Sequence, residues 1–383
     1  MNALETLKQH APDLEIENAQ GQPVVKLGLI ATLYFREGYT AERKQSVVEC
    51  FERFYEEFGD KLRWQAGGGY YKATPERFDK KRQAVLTSGL NEQQEWHLSS
   101  AKNEKEARDY SLQFLNSFAV HGDQDRSYIK LVLPWTLLTE PEGPQRYQQW
   151  LTYLCNQAQA EHGYGGLSCV LPYDYDSYMP SEYQLAQHYS GLEVDTFAYA
   201  MGMELQNHIK GANWYTVLGH SYVERLGGEE RLRHALSGHG DIVLLPYEQG
   251  LIIRAGDCPE LGAQADGLPR AYVAVSNVVK PVRIPNPDQL HSYSPYGDCF
   301  DEASTQRWYQ RFDIDPGPTT PPRTEGGQRC PGLDNLQLTP NAGNASPNCK
   351  PACEPDVAGR AWAARATDAT CWAVTRTPTT KNT

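Results

Sequence analysis

The chain has 383 residues, with 36 Lys and Arg against 48 Asp and Glu, so its formal net charge is −12. A chain of this length can bury one large core or two medium ones. The acidic balance argues against nucleic-acid binding, because contacts to phosphate require Lys and Arg, and it favours a basic protein partner. Solubility alone explains the acidity of many proteins, and that explanation has equal weight here.

The sequence has none of the segments that direct a protein into or across a membrane. No run of about 18 apolar residues occurs, and the first residues lack the basic and apolar regions of a signal peptide. Single cysteines in mostly apolar surroundings are typical of a reducing compartment, and here they are Cys50, Cys155, Cys169, Cys258 and Cys299. We therefore expect a cytoplasmic protein with neither membrane nor nucleic acid as a partner.

The first half of the chain predicts a buried strand followed by an amphipathic helix. Residues 24–35 are rich in Val, Leu and Ile, which indicates a buried strand. Thr40 is a suitable N-cap for a helix that ends at Gly59. Large apolar side chains repeat along that helix at helical spacing, namely Val47, Phe51, Phe54, Tyr55 and Phe58. Two further strands are expected at residues 96–99 and 110–118.

A similar order follows in the second half. Residues 128–135 predict a strand, Pro144 fits the first turn of a helix, and residues 166–171 predict the next strand. The apolar side of that helix consists of Tyr147, Trp150, Leu151, Leu154 and Ala158. Residues 241–247 and 250–254 are predicted to form a hairpin. We therefore expect an α+β fold in which two strand–helix–strand units pack as one body.

Composition divides the chain into three segments. Residues 1–19 are an N-terminal extension, and residues 20–315 form the α+β domain, with possible halves at 20–125 and 126–315. Residues 316–383 hold ten of the 25 Pro and four of the nine Cys, without apolar periodicity. They carry a net charge of +2, which leaves −14 on the first 315 residues. This composition predicts a disordered Pro- and Thr-rich tail.

Nine stretches of the chain resemble, in the same order, the type VI secretion immunity family, bacterial proteins that bind and silence a co-produced antibacterial toxin. The most informative is HIKGANWYTVLGHSYVERLGG at residues 208–228. The others are KLGLIATLYFREGYT (26–40), LRW (62–64), IKLVLPW (129–135), HGYGGL (162–167), YSGLEVD (189–195), GLIIRAG (250–256), PELG (259–262) and RWYQRFD (307–313). Each stretch is weak alone, but their collinear order over residues 20–315 makes the resemblance specific.

This resemblance implies binding rather than catalysis. It implies a protein that is not an enzyme and that neutralises a cognate type VI effector, often a nuclease, by direct protein–protein contact. The inhibitor would cover the active site, mimic phosphate with carboxylates, or hold the toxin in an inactive shape, and the sequence does not choose between these. Two alternatives stay open, namely a hydrolase whose site is assembled from distant residues and a chaperone or adaptor that loads the effector.

Gly211, Asn213 and Trp214 are the family residues with the sharpest pattern, and they allow two interpretations. They lie either at the toxin-binding surface or in a turn that needs glycine, with Trp214 packed in the core. The structural interpretation is favoured, because large aromatic side chains before an apolar run are usually buried.

Two segments combine tyrosines with carboxylates and are the candidates for partner binding. Residues 172–183 (PYDYDSYMPSEY) have two prolines and polar character, which predict a loop, and residues 293–302 (YSPYGDCFDE) have the same mixture. Tyrosine is a favoured anchor in protein interfaces, and carboxylates suit a basic partner. The candidate residues are Tyr173, Asp174, Tyr175, Asp176, Tyr178, Glu182, Tyr293 and Asp298. An ordinary surface loop is the alternative.

No catalytic or cofactor motif is evident. Ser221 follows Gly219 but lacks the second glycine of a nucleophile elbow, and it better fits a helix start. The spacing of Cys349 and Cys353 suits zinc, but no second ligand pair is near. His162 lies in a glycine-rich turn, where a histidine with satisfied hydrogen bonds is the ordinary interpretation. We expect no metal and no cofactor.

Overall fold

The computed structural model describes residues 2–313, so the tail predicted at residues 316–383 lies outside the described residues. The strands of this part of the chain are β1 (Ile16–Glu17), β2 (Pro23–Phe35), β3 (Trp64–Ala66), β4 (Tyr70–Lys72), β5 (Glu95–Ser99), β6 (Ser111–Leu115), β7 (Ser127–Pro134), β8 (His162–Val170), β9 (Tyr215–Gly219), β10 (Ile242–Tyr247) and β11 (Gly250–Ala255). The helices are α1 (Ala3–His10), α2 (Ala41–Phe58), α3 (Pro75–Thr87), α4 (Gly143–Ala158), α5 (Met179–His188), α6 (Ala198–Glu204), α7 (His220–Arg225), α8 (Glu229–Leu236), α9 (Arg270–Val279) and α10 (Glu302–Tyr309). The predicted α+β class is confirmed.

The predicted helices α2 and α4 form as their sequences indicate. The Thr40 hydroxyl caps α2 by accepting a hydrogen bond from the Arg43 amide, and proline stands in the first turn of α4. The two helices pack together, with the rings of Phe54 and Trp150 5.9 Å apart and Arg146 paired with Glu57. The predicted apolar sides of both helices are buried, except that Tyr55 is half-buried.

The prediction of a glycine-rich turn at His162 is wrong, because β8 begins at this residue. The glycines of β8 leave room for close packing instead of forming a turn. A Cβ on Gly165 would lie 2.4 Å from the hydroxyl of Tyr147, and one on Gly166 would lie 2.0 Å from the Asn213 side chain. Glycine in a strand marks such close approach as readily as it marks a turn.

The order of the strands reveals an exchange between the two halves of the chain. Across the sheet the order is β10-β11-β9-β8-β2-β7-β6-β5-β3-β4, with β1 beside β2. The central pair is β2 and β7, in which Leu29 faces Leu133. Apart from the short β1, β2 is bordered by β7 and β8, whereas β7 is bordered by β2 and β6. The first strand of each half therefore lies among strands of the other half.

The two faces of the sheet differ in chemistry. On the first face, α2 and α4 cover apolar side chains such as Leu29, Leu131 and Phe114. The second face carries many polar groups beside a smaller core, in which Tyr34 and Tyr164 pack against residues of α6 and α10. Parts of segments 171–212 and 283–313 cover this second face, where they contribute Val194, Met201, Phe300 and Trp308 to the smaller core. Both candidate segments belong to these two stretches.

The N-terminal residues contribute to the first core. Leu7, Ala11 and Leu14 are each at most 1% exposed, and β1 pairs with β2. Within residues 2–313 no helix combines the length and hydrophobicity that crossing a membrane requires.

Candidate partner-binding surface

Residues 172–183 follow the end of β8, but the loop predicted there is wrong over its second part. Residues 176–178 form a turn of 3₁₀ helix, and α5 begins at Met179. Pro180 stands in the first turn of α5, where its missing N–H costs nothing and its fixed φ suits the helix. This proline therefore starts a helix.

The second candidate segment lies directly before α10. Residues 293–301 contain no helix or strand, and Asp301 then caps α10 through a reciprocal pair of hydrogen bonds with Ser304. Ser304 N–H donates to the Asp301 carboxylate at 2.7 Å. The buried Ser294 hydroxyl accepts a hydrogen bond from the Tyr296 amide at 3.2 Å, which fixes the local turn.

The two segments contact each other, although they are far apart in sequence. The Ser294 hydroxyl donates to the Asp176 carbonyl at 3.4 Å across a separation of 118 residues. The rings of Tyr183 and Phe300 meet edge to face at 4.9 Å. The sequence presented them as two candidates, whereas the fold joins them into one area. We call residues 173–178 and 293–298 together the tyrosine–carboxylate surface.

Most of the candidate side chains are accessible on this surface. Tyr293 is 87% exposed and Tyr296 64%, whereas Tyr173 is 36% exposed. The carboxylates of this surface are all exposed, namely Asp174, Asp176 and Asp298. Tyr175 and Tyr178 are half-buried.

Glu182 is buried, so its carboxylate is unavailable to a partner in this structure. It is 1% exposed and lies 2.8 Å from the His291 Nε2. It also accepts hydrogen bonds from the Asp195 amide at 3.3 Å and from the Thr196 hydroxyl. Glu182 therefore links α5 to the segments that contain Asp195 and His291. It supports the tyrosine–carboxylate surface from its buried side.

Aromatic side chains from other elements extend the surface, and the sequence analysis missed them. The Tyr173 ring lies 5.4 Å from that of Tyr70, and its hydroxyl donates to Glu95 at 3.1 Å. The Tyr175 ring meets Phe197 at 5.4 Å, and Tyr199 on α6 is 38% exposed. Their aromatic character was visible in the sequence, but only the fold places them beside residues 173–175.

Tyr173 and Tyr175 are neutral hydrogen-bond donors on this surface. Burial is the largest cause that raises the pKa of Tyr173, and the neighbouring Glu95 carboxylate raises it further. Burial likewise raises the pKa of Tyr175, with Tyr199 and Asp176 adding to the effect. The negative charge of the surface at neutral pH therefore belongs to its aspartates.

Buried ion pairs hold the covering segment on the second face of the sheet. The Asp195 carboxylate lies 2.8 Å from Lys130 Nζ and accepts hydrogen bonds from Thr32 at 2.7 Å and Tyr164 at 2.5 Å. Burial is the largest influence and would raise the pKa of Asp195, but the charges of Lys130 and Lys210 together with hydrogen bonds from Lys130 and Tyr164 hold the pKa below its ordinary value. These groups anchor the backbone that leads into α6.

The structural interpretation of Gly211, Asn213 and Trp214 is confirmed. Gly211 has φ of +150°, which favours glycine. Asn213 donates to the buried Glu193 at 2.7 Å. Trp214 is 0% exposed, stacks on Tyr147 at 5.3 Å and donates from Nε1 to a backbone carbonyl. Asn213 and Trp214 are buried and support the fold, so their side chains are not accessible at the surface in this structure.

The described part of the chain contains no cluster of three His, Cys, Asp or Glu residues that could hold a metal ion. Ser221 lies in the first turn of α7, as the helix-start interpretation predicts. The accessible chemistry of the candidate surface therefore consists of phenol rings and carboxylates, which suit binding.

Comparison with known proteins identifies relatives of this fold. A family model described as type VI immunity for VRR-NUC matches residues 46–312, which include both parts of the tyrosine–carboxylate surface. The solved structure of the Pseudomonas aeruginosa T6SS protein PA0821 superimposes with a TM-score of 0.71 at 22% identity, covering 82% of this chain and 92% of that one. At this identity the likeness concerns the fold. No curated protein matches the chain.

Proposed function

Because this chain belongs to the TsiV family, type VI immunity for VRR-NUC, we propose that it binds a cognate nuclease effector and neutralises it by direct protein–protein contact. In this proposal the chain acts as a stoichiometric inhibitor and not as an enzyme. The tyrosine–carboxylate surface carries the contact.

The observation that supports this surface is the meeting of two tyrosine- and acid-containing segments in one exposed area. Isolated exposed tyrosines are common on soluble proteins, whereas Tyr293 at 87% and Tyr296 at 64% exposure lie on a segment that contacts residues 176–183. Aromatic side chains of low conformational entropy supply interface area. A nuclease must attract phosphate with basic groups, and Asp174, Asp176 and Asp298 complement such a surface.

The two kinds of side chain are expected to act on different rate constants. Exposed carboxylates steer the encounter with a basic partner, so Asp174→Asn with Asp176→Asn should slow association and flatten its salt dependence. Tyr293→Ala should speed dissociation by a factor of about 30 if this ring is a hot spot worth about 2 kcal/mol. Surface-immobilised effector at two salt concentrations measures both constants.

Tyr71→Ala is the matched control for the tyrosine variant. Tyr71 is 47% exposed and neighbours Tyr70 on β4, where successive side chains point to opposite faces. Its ring packs on Arg77 of α3, away from Tyr173. Unchanged rate constants in the aspartate and Tyr293 variants would place the interface elsewhere. The Tyr175→Ala change is less informative, because this half-buried ring also packs on Phe197.

Titration of nuclease activity separates inhibition by binding from the alternatives. A stoichiometric inhibitor abolishes DNA cleavage at about one equivalent, and effector separated from the denatured complex regains activity when it refolds. A hydrolase acting on the effector would abolish activity well below one equivalent, and a loading chaperone would leave cleavage intact. Protection of a bacterial host that expresses the effector provides the corresponding test in cells.

A further inference from the structure

A cleft of about 380 Å³ lies between the end of α5, the loop at residues 262–268 and α10. Its walls are largely small and apolar residues, among them Ala186, Ala263 and Leu268, and its polar lining includes His188, Arg307 and Arg311. Volumes of about 300–1,000 Å³ are usual for small-molecule sites. The tyrosine–carboxylate surface is at the start of α5, so the ten-residue helix separates the two by about 15 Å.

The cleft is cationic, although the chain as a whole is acidic. Arg307 is exposed and forms no close ion pair within residues 2–313, although its charge helps to lower the pKa of Asp301. Arg311, one helical turn further, donates to the Ser190 and Trp308 carbonyls at 2.8 and 3.0 Å. Its Nη2 lies 3.9 Å from Glu193, a carboxylate that also pairs with Lys210 at 2.9 Å. Lys210 also faces the buried Asp195, so Arg307 is the exposed cation that the cleft presents.

The wall residue Trp308 has an unused hydrogen-bond donor. Trp308 is 4% exposed, and its Nε1 has no acceptor among the described residues. Arg311 lies over its ring at 3.6 Å. A buried donor without a partner destabilises the folded state, and an indole N–H can be satisfied only by an acceptor.

We propose that this cleft binds a small organic anion, whose carboxylate or phosphate contacts Arg307 and whose apolar part lies against the small apolar wall residues, beside the Trp308 indole. Guanidinium groups match both oxyanions in geometry and charge. The apolar walls favour an organic anion over an inorganic one. This site is separate from effector binding, so either proposal can fail without the other.

The eight tryptophan indole N–H resonances of the full-length chain give a direct readout by ¹H–¹⁵N NMR. The Trp308→Phe variant retains an aromatic ring and identifies the Trp308 resonance by its absence. Three matched probes share one aromatic ring, namely phenyl phosphate, benzoate and the neutral benzyl alcohol. We expect at least one of the two anions to shift the Trp308 resonance saturably, with a Kd of about 1 mM or lower.

Arg307→Gln tests the charge, and Arg231→Gln, an exposed change on α8, is its control. We expect Arg307→Gln to weaken binding at least fivefold and Arg231→Gln to leave it unchanged. Binding of phenyl phosphate alone would assign the site to phosphates, and binding of benzoate alone to carboxylates. The proposal is overturned if neither anion binds, if benzyl alcohol binds equally well, or if Arg307→Gln has no effect. If Trp308→Phe does not fold, the test is whether Arg307→Gln weakens the saturable shift that the anions cause in any indole resonance of the unchanged chain.

Discussion

His162 lies at the start of β8, fully buried between the rings of Tyr34 at 4.9 Å and Tyr222 at 5.8 Å. Neither ring nitrogen has a hydrogen-bond partner in the described part of the chain. Burial lowers the pKa of His162 to about 4, and Arg126 and Arg36 lower it further against the opposing effect of Glu161. A neutral histidine is therefore part of the folded state at neutral pH.

This buried histidine makes the free energy of unfolding depend on pH. An unfolded histidine titrates near pH 6.5, so between about pH 6.5 and 4 the unfolded chain binds more protons than the folded one. Stability is expected to fall by about 2–4 kcal/mol as the pH decreases through this range. Urea unfolding at several pH values should show that the free energy of unfolding depends less steeply on pH in His162→Phe than in the unchanged chain. The exposed control His234→Gln should match the unchanged chain, and identical slopes for all three would contradict the expectation.

At the scale of the element, α2 stabilises the fold through the apolar side that packs on the sheet and α4. Phe54 is 0% exposed, and its ring meets Phe58 at 5.0 Å and Trp150 at 5.9 Å. Phe54→Ala should lower the free energy of unfolding by about 3–5 kcal/mol, because a cavity adds to the lost burial. Glu56→Ala, an exposed change on the same helix, should alter it by less than about 0.5 kcal/mol. A loss below about 1 kcal/mol for Phe54→Ala would show that the surroundings collapse onto the site.

The spacing of apolar residues within one segment was sufficient to predict α2, α4 and the side of each helix that is buried. It failed at residues 176–183, because proline is common both in loops and in the first turn of a helix. It also failed for Glu182, whose burial depends on His291, a residue 109 positions away. The contact between the two candidate segments is equally long-range. The composition of each segment therefore predicted residue types that suit an interface, but not that the two segments lie side by side.

At the scale of the whole molecule, the exchange of first strands predicts that the halves fold together. The possible halves at residues 20–125 and 126–315 follow the order of the two predicted units in the sequence. However, the long strands that pair with β2 are β7 and β8, which both belong to the second half. Residues 1–125 expressed alone should lack cooperative thermal unfolding, and co-expression with residues 126–383 should restore it. A fragment of residues 1–125 that unfolds cooperatively by itself would refute this.

The strand order could not be read from the sequence. Residues 24–35 and 128–135 predict buried strands by composition, but composition does not say which strand is the neighbour of which. Antiparallel pairing of β2 with both β7 and β8 depends on side chains that meet only in the folded chain, such as Leu29 with Leu133 and Leu167. Family resemblance suggested the proposed binding role, whereas the geometry of the surface required the structure.

The position of β2 also sets the order of events during synthesis. Its 13 residues are made early, but Leu29 must wait for Leu133 and Leu167 before both edges of the strand are paired. At about 5–20 residues per second, this delay lasts roughly 5–30 s on the ribosome. A long apolar strand with open edges is a template for aggregation during that interval. A newly made chain therefore cannot complete the pairing of β2 until β8 has emerged, and under the proposed function only chains already finished could bind an effector.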